Sequence, residues 1–125
     1  MITNKRIWFI TGISSGLGKA LAENVIWEGD YVIGTFRKEK QVNDFNDKYQ
    51  GQATAILLDV TDTLAIDKQL QFVKQEFGRI DVLVNNAGYG LAGAIEETSM
   101  KTVRALFEVN FFGALYLTQI GRAHV

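Results

Sequence analysis

The chain has 125 residues, 47% of them apolar and 22% charged, which suits one small globular domain. A formal net charge of −1 supplies no field to hold nucleic acid or an anionic membrane surface, so neither is expected as a partner. With no cysteine, and with His124 near the end as the single histidine, the sequence offers no disulfide framework, no thiolate metal site and no histidine cluster.

Met1 to Lys5 runs straight into the apolar Ile7-Trp8-Phe9-Ile10, a strand-like run too short for a signal-peptide core or a membrane span. A cytoplasmic location is therefore expected. Glycines follow at 12, 16 and 18. Leu17, Ala20, Leu21 and Val25 then recur at helical spacing up to Gly29, a plausible helix stop. Tyr31-Val32-Ile33 starts a second strand that ends near Phe36. In the polar segment 38–49, Val42, Phe45 and Tyr49 again lie three or four apart. Ala53 to Leu58 reads as a third strand, ending at Asp59. Thr61-Asp62 suits the cap of a helix whose buried face is Ile66, Leu70, Val73 and Phe77, with Gly78 closing it. Ile80 to Val84 is a fourth strand. Ser99 opens a long helix with the stripe Val103, Leu106, Phe107, Asn110, Ala114 and Leu117. Short apolar strands alternating with amphipathic helices predict an α/β chain with a parallel, doubly wound sheet.

The segment Thr11-Gly12-Ile13-Ser14-Ser15-Gly16-Leu17-Gly18 stands between the first strand and the first helix. There the first backbone N–H groups of the helix lack internal partners, and the dipole adds positive charge, which together favour a diphosphate. Gly12 allows the tight turn. Gly16 and Gly18 remove side chains where the backbone approaches the ligand or the sheet. Ser14 and Ser15 add hydroxyl donors. A triphosphatase-type loop is excluded twice, because Gly18-Lys19 would need glycine at position 13 and Ser or Thr at 20, where Ile13 and Ala20 stand. A glycine turn that binds nothing is the bland alternative, and the position after the first strand argues against it.

In a dinucleotide fold an acid at the end of the second strand hydrogen-bonds the free ribose 2′-hydroxyl of NAD(H). Here the strand ends Gly34-Thr35-Phe36 without an acid, and Arg37-Lys38 follow. A guanidinium suits a 2′-phosphate, so NADP(H) is expected over NAD(H). A solvated helix start is the competing reading of these charges.

Asp59-Val60 after the third strand, Asn85-Asn86-Ala87-Gly88 after the fourth and Asn110 in the long helix join the glycine loop in chain order. Together they resemble the main branch of the short-chain dehydrogenase/reductase family, over the chain up to about Gln119. The resemblance implies a Rossmann-type doubly wound sheet with strand order 3-2-1-4, cut short after the fourth strand and the helix following it. It implies that Gly12, Ser14, Ser15, Gly16, Leu17 and Gly18 cradle the diphosphate and adenosine ribose. Arg37 matches the basic position of NADP-preferring members. Asp59 would hydrogen-bond the adenine amine, and Val60 would pack beside the ring. Asn86, Ala87 and Gly88 would line the ribose pocket. Asn110 matches the active-site asparagine, and a buried amide on an apolar stripe needs partners in any case.

The family's tyrosine, the lysine four residues after it and the preceding serine are expected beyond this sequence. None of Tyr31, Tyr49, Tyr89 and Tyr116 has a lysine four residues on. The chain alone is expected to be inactive. The complete protein would be a hydride-transferring oxidoreductase acting on a small-molecule carbonyl or alcohol, and a homo-oligomer. The other reading is a non-catalytic dinucleotide-binding module. Residues 1–119 are read as an incomplete NAD(P)-binding domain. Residues 120–125, Ile120-Gly121-Arg122-Ala123-His124-Val125, match a translated sequencing adapter and are expected to be a non-native tail.

Overall fold

A computed structural model of the chain describes residues 5–86. The expected helix from Ser99, with Asn110, lies outside the described residues, as do Ala87, Gly88 and residues 120–125. Strands β1 (Ile7–Ile10), β2 (Tyr31–Phe36), β3 (Ala53–Leu57) and β4 (Val82–Val84) alternate with helices α1 (Gly16–Trp27), α2 (Glu39–Lys48) and α3 (Thr63–Phe77). The strands form one sheet in the order β3-β2-β1-β4. Every pairing is parallel, with Phe9 opposite Ile33 on one side and Leu83 on the other.

Alternation along β1 sorts its side chains between two cores, as the pleat requires. Ile7 and Phe9 pack with Ile66, Leu70, Val73 and Phe77 of α3. Ile10 packs on the opposite face with Ala22 and Val25 of α1, and Val42 and Phe45 of α2 lean on that cluster. Helices thus cover both faces, which is why β1 and β2 read as continuous apolar runs.

Helix α3 follows its sequence closely. Asp62 accepts a hydrogen bond from the Ala65 N–H at 3.1 Å, the four expected apolar residues are its buried ones, and Gly78 closes it at φ 83°. Helix α1 differs from expectation. Its buried residues are Gly18, Ala22 and Val25, while Leu17 is 83% exposed. The helix presses the Cα of Gly18 against the preceding loop, so the buried face is rotated away from Leu17. Strand β4 begins at Val82 rather than Ile80. Asp81 replaces the first rungs: its Oδ2 accepts from the Ile7 N–H at 2.7 Å, and its own N–H donates to the Ile7 carbonyl at 2.8 Å.

Candidate functional site

The loop between β1 and α1 is tied down from both sides. On the β4 side, Thr11 Oγ1 accepts from the Asn86 N–H at 2.9 Å, and Asn86 Nδ2 donates to the Gly12 carbonyl at 2.9 Å. On the β2 side, Thr35 Oγ1 accepts from the Gly12 N–H at 3.0 Å. Thr11 and Thr35 are each 1% exposed, and these bonds satisfy hydroxyls that would be costly to bury alone. Gly16 has φ 60°, the left-handed region that side chains disfavour. Gly18 meets a different constraint: a Cβ there would run into the Gly12 carbonyl oxygen and Asn86 Nδ2.

Ser15 is the N-cap of α1, with an extended backbone, yet its side chain makes no capping bond. The contrast is α3, whose first turn is capped by Asp62. The first-turn N–H groups of α1 therefore have no side-chain acceptor, at the positive end of the helix dipole. This is the donor set that an anionic diphosphate requires.

A cleft of about 500 Å³ opens over the carboxyl ends of β1, β2 and β3, the location where open α/β sheets take ligands. It gathers Gly12, Ser14, Ser15, Gly16, Leu17, Arg37, Asp59, Val60 and Asn86, all expected from the sequence. Gly18 is buried in the helix face behind the loop. The cleft also includes Phe36 and Lys38 from the end of β2, and Thr35, Gln41 and Leu58, which the sequence does not mark as binding residues. Thr35 carries no signal in the sequence, because its hydroxyl meets its partner, the Gly12 N–H, only in the folded sheet. The exposed Leu17 places an apolar side chain at the cleft with little protein cover.

Asp59 and Arg37 set the electrostatics of the far end. Partial burial pushes the Asp59 carboxyl pKa up, but hydrogen bonds from Thr61 and the nearby Arg37 charge outweigh it and hold the pKa below the usual aspartate value. The Thr61 N–H and hydroxyl both bond Oδ1, at 2.9 and 2.7 Å. Arg37 is exposed and makes no ion pair within 4 Å among the described residues. Val60 lines the cleft but is mostly spent on the core beneath. No metal-binding cluster occurs among the described residues, and no helix among them is long and apolar enough to cross a membrane.

A parallel sheet in the order β3-β2-β1-β4, with a glycine loop and an uncapped helix at its carboxyl edge, defines a Rossmann-type domain. Residues 6–124 match the sequence model of the short chain dehydrogenase family. The chain belongs to that family, whose members are oxidoreductases that bind NAD(P). Among curated relatives it is 38% identical over 112 residues to an NADPH-dependent 3-dehydrocapnine reductase of Ornithobacterium rhinotracheale, covering 88% of this chain and 40% of the relative. It is 39% identical over 115 residues to oxidoreductase BOA17 of Botryotinia fuckeliana, covering 91% and 42%. A crystal structure of a short-chain dehydrogenase from Streptomyces avermitilis superposes with a TM-score of 0.90 at 43% identity, covering 98% of this chain and 45% of that one. The chain thus spans about two-fifths of the length of these curated relatives.

Proposed function

We propose that the chain is the cofactor-binding part of a short-chain dehydrogenase/reductase that uses NADP(H) in preference to NAD(H). In this reading Gly12, Ser14, Ser15, Gly16 and Leu17 receive the diphosphate and adjoining ribose, with the uncapped N–H groups of α1 as donors, and Gly18 lets α1 close on the loop. Arg37 pairs with the ribose 2′-phosphate. Asp59 accepts from the adenine amine while Val60 flanks the ring. Asn86, Ala87 and Gly88 line the ribose pocket, and Asn110 belongs to the active site. The bound nicotinamide would supply hydride to, or take it from, a carbonyl or alcohol substrate in the complete protein. That protein is read as cytoplasmic and homo-oligomeric, with residues 1–119 part of its cofactor domain.

The observation carrying the cofactor preference is the end of β2. Phe36 stands where an acid would repel a 2′-phosphate, and the exposed Arg37 beside it lines the cleft of the glycine loop. The NADPH dependence named for the 3-dehydrocapnine reductase of Ornithobacterium rhinotracheale points the same way. Equilibrium titration with NADP+ and NAD+ tests it. Arg37→Ala should weaken NADP+ by about ten- to a hundredfold, the range for hydrogen bonds to a charged group, and leave NAD+ unchanged. Equal losses for both cofactors, or tighter NAD+ binding by the unaltered chain, would contradict the reading.

A further inference from the structure

Thr35 occupies a strand whose six residues are all buried. Its hydroxyl and its carbonyl both face the glycine loop. Oγ1 accepts from the Gly12 N–H at 3.0 Å, and the carbonyl accepts from the Ile13 N–H at 3.1 Å. One residue of β2 therefore takes two consecutive amide protons of the loop. Thr35 also stands two residues before Arg37, on the same cleft. It is thus continuous with the strand end assigned to the 2′-phosphate and bonded to the loop assigned to the diphosphate.

We propose that Thr35 is a positioning residue that fixes the spacing between these two ends of the dinucleotide site. The proposal rests on the NADP(H) reading above. A ligand that spans both ends gains from both only if their separation is held before it binds, because ordering them at the moment of binding costs affinity. A ligand that uses one end alone is indifferent to the spacing. Thr35→Val keeps the shape of the side chain but removes its acceptor, leaving the Gly12 N–H without a partner and the loop held by fewer bonds. Thr35→Ser keeps the acceptor.

The test compares NADP+ with adenosine 2′-phosphate, which carries the 2′-phosphate but no diphosphate. Thr35→Val should weaken NADP+ by about tenfold, the upper range for one neutral hydrogen bond. Its affinity for adenosine 2′-phosphate should stay within about twofold of the original, as expected of a ligand confined to one end. Thr35→Ser should bind both as the unaltered chain does. Equal weakening of both ligands, no weakening of NADP+, or failure of serine to restore binding overturns the coupling while leaving the NADP(H) reading intact. An unaltered chain that binds neither ligand overturns that reading, and the coupling with it. Amide exchange gives a second measure that needs no valine variant. The Gly12 amide should exchange slowly in the unaltered chain and in Thr35→Ser, and exchange as fast as that of the exposed Ser14 overturns the proposal.

Discussion

Asn86 Nδ2 donates to the Gly12 carbonyl at 2.9 Å, joining the end of β4 to the first glycine of the loop across 74 positions of sequence. The backbone N–H of the same asparagine is accepted by Thr11, so the residue after the sheet and the residue before the loop hold each other. Replacing Asn86 with alanine strips the Gly12 carbonyl of this bond but leaves the Thr11 bond in place. The expected loss is about 1 kcal/mol of unfolding free energy, the low end of the cost of orphaning an acceptor, because Gly12 is only half-buried. A urea midpoint unchanged in Asn86→Ala would show that the carbonyl finds water instead.

The two loop glycines should fail differently. Alanine at Gly16 meets no atom within 4 Å and suffers only from φ 60°, a cost of about 1–2 kcal/mol. Alanine at Gly18 meets the Gly12 carbonyl and the Asn86 amide, so it breaks a bond as well as crowding the backbone. Its cost should be about 3 kcal/mol or more. Parallel thermal unfolding of the two variants checks the order, and a Gly18→Ala variant no less stable than Gly16→Ala would count against the close approach.

Much of this architecture was legible because single elements carried several agreeing signals. For α3 the cap, the stripe Ile66, Leu70, Val73 and Phe77 and the closing Gly78 all agree. The face of α1 was not legible, because counting apolar residues cannot see a glycine whose Cα is the contact surface. The cleft's glycines, Arg37 and Asp59 stood out as residue types at strand ends. Thr35 did not, since threonine in a strand reads as an ordinary β-former. Its role depends on the Gly12 N–H, 23 positions away, which only the folded sheet brings within reach.

Asp59 gives a pH prediction. Its pKa is lowered from the usual 3.8, despite burial pushing it up, because Thr61 and Arg37 favour the charged form. A carboxylate depressed in the folded state stabilises the fold fully above its unfolded pKa, and that contribution is lost as pH falls through the folded pKa. The relevant window therefore lies below pH 3.8, and Asp59 should contribute no pH dependence near neutrality. Carbon-detected NMR titration should show the carboxyl titrating below 3.8 and moving upward in Thr61→Val. A midpoint at or above the usual value in the unaltered chain would refute the assignment.

The outer edge of β3 offers a separate test. Asn46 Oδ1 accepts from the Ala55 N–H at 2.7 Å, and its Nδ2 donates to the Ala55 carbonyl at 3.1 Å. Gln69 Nε2 covers the Leu57 carbonyl at 2.9 Å. Side chains from two helices thus occupy backbone groups that an edge strand would otherwise offer to another chain. Asn46→Ala should lower stability by about 1–3 kcal/mol and raise concentration-dependent association, followed by light scattering. A variant that loses stability without associating would show that the edge is protected by other means.

The glycine loop and the end of β2 are proposed to form one dinucleotide site that prefers a 2′-phosphate. Residue-resolved amide shifts during titration with NADP+ and NAD+ test it most directly. Saturable shifts are expected at Ser14 to Gly18 with both cofactors, with additional shifts at Arg37 and Lys38 and tighter binding for NADP+ alone. Shifts confined to residues outside the cleft, or the same shifts at Arg37 with equal affinity for both cofactors, would contradict it.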